Sequence, residues 1–229
     1  MKNKLKTILT FIIIFVAVPA VAVAGMYVSG SRSYYWIAIL TAALSCVPFF
    51  ISFEKGKSGL RKMLVIAVMT AVSVAGRILF AEIPSFKPVT ALVMITALSF
   101  GPEAGFITGS LSAILSNLWF GQGPWTAFQM FAWGFNGFLT GIAARPLKKH
   151  LSLLVVFGAV MGVLYSLILD INTVLWMEGV FNVKRYLAAV ASSARVTVIY
   201  MVSNALFLLV LAKPLGKTLD RVKKKYNIL

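Results

Sequence analysis

Trp125, Gln129, Trp133 and Asn136 fall at i, i+4, i+8 and i+11 in the stretch 117-NLWFGQGPWTAFQMFAWGFNG-137, so they share one face of a helix. Two indoles and two amides do no acid–base chemistry at neutral pH. Their chemistry is binding, with broad aromatic surfaces for an organic solute and a few amides to orient it. Trp119, Phe120, Gln122 and Gly123 sit in the break ahead of this stripe. Gly121-Gln122-Gly123-Pro124 reads as a tight turn, with Pro124 just before a helix start, where its missing N–H costs little. Three charges interrupt apolar runs: Arg77, Asp170 in 167-LILDINTVLW-176 and Arg195 in 192-SSARVTVIY-200. A charge at the centre of a spanning helix costs about 2.5–3.5 kcal/mol on insertion scales, so each needs a partner, water or a ligand. Asp170 and Arg195 are expected in the outer half of adjacent helices, where an ion pair and ligand contact are both open. Tyr165, Asn172 and Asn204 are further polar candidates in this region.

Other chemistries lack their residues. His150 is the one histidine and lies beside Lys148 and Lys149, as a solvated flank would. Cys46 is the one cysteine and sits in an apolar run, which suits a small buried residue and gives no disulfide framework. No spacing of His, Cys and acids suggests a metal site. Ser110, Ser112 and Ser116 have no evident His base, so nucleophilic catalysis is unsupported. The expectation is a non-enzyme with no intrinsic cofactor. An intramembrane enzyme using Asp170 and a stand-alone secondary permease for a small organic solute, using Asp170 and Arg195, stay open as alternatives.

The elements that position these residues are membrane helices. Residues are 60% hydrophobic and only 12% charged, about half the charge of a soluble domain. Eight apolar spans are predicted, over 8–29, 35–53, 61–80, 88–100, 102–119, 125–144, 151–176 and 186–212. The run from Ile8 to Val28 is read as a retained helix rather than a cleaved signal. With both termini cytoplasmic, sixteen of the 22 basic residues fall on the inner side, in the tails and in the groups around Lys55–Lys62 and Arg145–Lys149. This bias follows the positive-inside rule, so the net charge of +16 reports topology and anionic-lipid contact rather than nucleic acid. The outer segments are then 81–88, 118–125 and 177–186. Small residues recur every fourth position at Ala67, Ala71 and Ala75, and again at Gly101, Gly105, Gly109 and Ala113; Gly158 and Gly162 form a further pair. Each stripe lets another helix approach closely, from inside the bundle or from a separate membrane partner.

From about residue 60 to 213 the chain resembles the substrate-binding S component of an energy-coupling factor (ECF) vitamin transporter. The resemblance is carried by 67-AVMTAVSVAGR-77, 78-ILFAEIPSFKP-88, 99-SFGPEAGFITGSLSAILSN-117 and 119-WFGQGPWTAFQMFAWG-134. It implies an all-α polytopic membrane protein of the bacterial cytoplasmic membrane. A six-helix core spans 60–213, preceded by an additional transmembrane hairpin over 1–55 and followed by a basic cytoplasmic tail over 214–229. It also implies a vitamin site near the outer surface, closed by loops 81–88, which hold Phe86 and Lys87, and 118–125. The Ala67, Ala71 and Ala75 face is expected to dock on a transmembrane scaffold subunit, with two separate ATPase subunits supplying energy. The GQGPW turn is most similar to the cobalamin-transporting group, making a corrinoid the expected ligand; riboflavin, folate, pantothenate and other solutes stay open.

Overall fold

A computed structural model describes residues 57–228 except 124, 179 and 180, together with residues 12, 16, 20, 40 and 44. The expected N-terminal hairpin and Pro124 therefore lie outside the described residues. Seven helices follow in order: α1 (Lys57–Leu79), α2 (Val89–Phe100), α3 (Pro102–Phe120), α4 (Trp125–Ile142), α5 (Ala144–Lys149), α6 (Leu151–Glu178) and α7 (Val183–Lys225). There is no strand among the described residues. Gly59–Leu79, Leu151–Glu178 and Val183–Lys225 are each long and apolar enough to cross a membrane. The protein is an all-helical, polytopic membrane bundle.

The short spans are packing devices. α2 has 12 residues, nearly all buried, and a length of about 18 Å. That is well short of the roughly 30 Å hydrocarbon layer. It is apolar on every side because every side meets another helix. Gly101, at φ 94°, ends α2 and caps α3, and Pro102 then opens α3. A left-handed backbone of this kind suits glycine, so Gly-Pro marks the break where the sequence placed it.

α3 and α4 pack most closely, followed by α6 and α7. A Cβ on Gly109 would lie 2.4 Å from the Trp133 backbone, and one on Gly105 would lie 2.8 Å from the Gly137 carbonyl oxygen. A Cβ on Gly162 would meet the Tyr200–Met201 backbone at 2.9 Å. The glycine stripes are thus internal seams. The alanine stripe differs: Ala67, Ala71 and Ala75 are all exposed on the open face of α1, among Leu64, Val68, Val72 and Leu79.

Two helical features depart from expectation. The short α5 follows α4 where the span 125–144 was to end in a loop. α7 runs to Lys225 rather than stopping near 212, and carries Pro214 within it. Its last turns return to the bundle: Lys223 Nζ donates to the Ser99 carbonyl at 3.3 Å, and Arg61 donates to the Tyr226 carbonyl at 2.6 Å. These contacts and the buried Leu219 hold the basic segment as helix.

Candidate functional site

The outer halves of α1, α3, α4, α6 and α7 meet around Arg77. Its Nη1 donates to Ser116 Oγ at 2.5 Å and to Asn117 Oδ1 at 2.6 Å. Its guanidinium carbon stands 4.6 Å from the Phe120 ring centre and 5.0 Å from that of Trp133. A planar cation is therefore held by two acceptors and two aromatic faces, the arrangement that suits arginine best. Asn117 Nδ2 donates onward to Gln129 Oε1 at 2.8 Å and to Thr126 Oγ1 at 3.0 Å.

The Gly-Gln-Gly-Pro break is tied into this network. Thr126 Oγ1 donates to Gln122 Oε1 at 2.9 Å and accepts from the Gly123 N–H at 3.2 Å. Gln122 Nε2 donates to the Ile114 carbonyl at 2.9 Å. Gly121, at φ 95°, ends α3, and α4 begins at Trp125. Trp133 stacks on Tyr165 of α6 at 5.2 Å and 14°, and Tyr200 of α7 meets Tyr165 edge-on at 4.9 Å. Tyr200 also interacts with Ser85 of loop 81–88. Ser85 holds φ 60°, a left-handed conformation unusual for serine.

Depth follows from helix rise. Trp133 lies eight residues inside the start of α4, about 12 Å, and Tyr165 lies about 20 Å from the outer end of α6. The cluster is buried, and α6 extends farther beyond it than α4 does. Asn172 sits two turns above Tyr165 on the same α6 face, buried, with its Oδ1 unpartnered. Asn136 lies one turn below Trp133, donating to the Met161 carbonyl at 3.0 Å and keeping a free Oδ1. Thr70, Ser73 and Ser112 are buried with hydroxyls that lack a hydrogen-bond partner among the described residues.

Several expected site residues stand elsewhere. Asp170 and Arg195 do not pair: Asp170 Oδ2 accepts from Ser193 Oγ at 2.8 Å, while Arg195 is exposed. Ser193 and Arg195 are two residues apart, so about 200° separates them around α7 and only one can face α6. The one ion pair among the described residues joins Arg185 and Glu178. Lys87 Nζ donates to the Phe80 carbonyl and to those of Ala81 at 3.0 Å and Ile83 at 2.9 Å, pinning its own loop. Burial, reinforced by the Arg77 charge and opposed by Glu82, lowers its pKa. Phe86 packs on Phe80 and Phe207 and lines a lateral apolar groove of about 590 Å³ between α1 and α7. Trp119 is 71% exposed and Trp125 is 40% exposed, so neither belongs to the buried cluster around Arg77. Asn117, Ser116, Thr126 and Tyr200 were missed. Asn117 and Thr126 flank the break, which was the available signal; Tyr200 carries none.

No group of three or more metal-ligating side chains occurs among the described residues. Hydrogen-bonding amides, one cation and stacked rings are thus brought together from five helices of a membrane bundle. A family model described as the ECF-type riboflavin transporter, S component, matches residues 57–221, and the chain belongs to that family. It is also similar to a UPF0397 protein of Clostridium perfringens, in strains SM101 and ATCC 13124, each 31% identical over 102 residues. Those matches cover 42% of this chain and 54% of the relatives, so the chain spans about half the length of the curated relatives it matches. No solved structure matches it significantly.

Proposed function

We propose that this chain is the vitamin-capturing subunit of an ECF importer in a bacterial plasma membrane. It takes its ligand from outside onto the Arg77 cluster and docks through the Ala67, Ala71 and Ala75 face on a transmembrane scaffold driven by two ATPases. The observation that carries this reading is the Arg77–Asn117–Gln129 network under stacked Trp133 and Tyr165. It joins a fixed cation, amides and flat aromatic surface in one place. Family membership supports the scaffold and ATPases as partners.

The proposed ligand is cobalamin or a related corrinoid. The exposed Trp119, Phe120 and Trp125 offer a broad aromatic surface, and the Arg77 cation suits the phosphodiester of a complete corrinoid. Riboflavin is the second reading, favoured by the family description; its flat ring system would stack on Trp133. The test is titration of the purified protein with cobalamin, cobinamide and riboflavin, followed by calorimetry and visible absorbance. Tight cobalamin binding with no riboflavin heat supports the corrinoid. Riboflavin binding alone replaces it, and no binding across a broad vitamin screen overturns the capture role itself.

A further inference from the structure

At the opposite, cytoplasmic end, a cavity of about 330 Å³ opens between α2, α5, the start of α6 and the last turns of α7. That volume lies at the lower edge of the range typical of small-ligand sites. Its rim carries Lys148, Lys149, Lys213 and Lys217 against one acid, Asp220. None of these four ammonium groups has a hydrogen-bond or ion-pair partner among the described residues, whereas the nearby Arg61 and Lys223 are both engaged. The positive-inside bias explains why lysines lie on this side. It does not explain why four unpaired ones converge on one hollow.

The floor of the hollow is apolar, built from Leu98, Leu147 and Leu154. Above its Lys213 wall, Leu209 and Leu206 form an exposed stripe up the same face of α7, at i−4 and i−7 from Lys213. We propose that this cavity binds one anionic phospholipid, with its phosphate among the four lysines and its acyl chains along the α7 stripe. A soluble anion needs the lysines but neither the floor nor the stripe. Clustered basic side chains between helices at the cytoplasmic surface are the electrostatic signature of such sites. The site shares no residue with the Arg77 cluster, so its test does not depend on the transported ligand.

The test is native mass spectrometry of the full chain in detergent with dioleoyl phosphatidylglycerol or dioleoyl phosphatidylcholine. The expected result is at least tenfold greater retention of the anionic lipid. A Cβ on Gly216, at the cavity wall, meets no atom within 4 Å, so Gly216→Trp is expected to fill the hollow and cut retention at least tenfold with every lysine present. Lys213→Gln with Lys217→Gln is expected to do the same and decides alone if the tryptophan variant does not fold. Arg221→Gln with Lys224→Gln, an equal charge change outside the cavity lining, is expected to leave retention intact. Equal retention of both lipids, or equal loss in that control pair, overturns the site. Displacement by inorganic phosphate at matched concentration assigns it to a soluble anion and overturns the lipid. Loss of the bound lipid on assembly with the transport partners assigns the lysines to an acidic protein segment and does likewise.

Discussion

Arg77 is bound on four sides at once, by Ser116, Asn117, Phe120 and Trp133. A lysine ammonium cannot keep two acceptors and two ring faces from one position. Arg77→Lys is therefore expected to weaken ligand binding at least tenfold, about 1.4 kcal/mol, measured by calorimetry, with unchanged thermal stability in detergent. Arg195 gives the contrasting case. Exposed and remote from this network, it is expected to tolerate Arg195→Gln with less than a twofold change in affinity in the same titration. A tenfold loss there would return Arg195 to the site. Sequence spacing exposed Gln129 and Trp133 because both lie on one helix, where periodicity is informative. It missed Asn117 and Tyr200, whose role comes from partners on other helices. Of the two roles left open for Asp170, the pair with Arg195 does not form, because helix rotation turns Ser193 and not Arg195 toward it.

Small residues do two different jobs on different helices. Gly109 lets the α4 backbone sit where a methyl group would otherwise be, so Gly109→Ala is expected to cost about 1–3 kcal/mol through overpacking. Thermal unfolding in detergent and ligand binding should fall together. Ala71 faces outward, so Ala71→Trp is expected to leave both intact and to abolish uptake by the assembled importer in vesicles. Equal loss of stability in the two variants would make the alanine face structural. Four-residue spacing announced both stripes and did not distinguish them, because a close-packed seam and an exposed face have the same local pattern. Burial separates them. Similarly, the Gly101-Pro102 break was legible as punctuation, whereas the extension of α7 was not: Lys223 and Arg61 secure it through backbone acceptors far away in sequence.

At the level of the whole molecule, capture and energy supply reside in different chains under the proposed function. Vesicles containing this protein alone are expected to accumulate no vitamin under an imposed ion gradient, while addition of scaffold and ATPase subunits with ATP restores uptake. Gradient-driven uptake by the chain alone would instead establish a permease. The bundle was legible in hydropathy; the Arg77 cluster was not, because its side chains come from five helices. The short α2 has an electrical consequence. Under the proposed function, water entering with the ligand would bring bulk potential close to Arg77, leaving the roughly 18 Å of α2 on the inner side. The membrane voltage would then fall mainly across that thin layer. An anionic vitamin is expected to bind equally well to vesicles held at zero and at about −100 mV, measured by fluorescence quenching; crossing the whole field would cost about 2.3 kcal/mol per charge. Electrical work is thereby deferred from capture to delivery, where ATP is available to meet it.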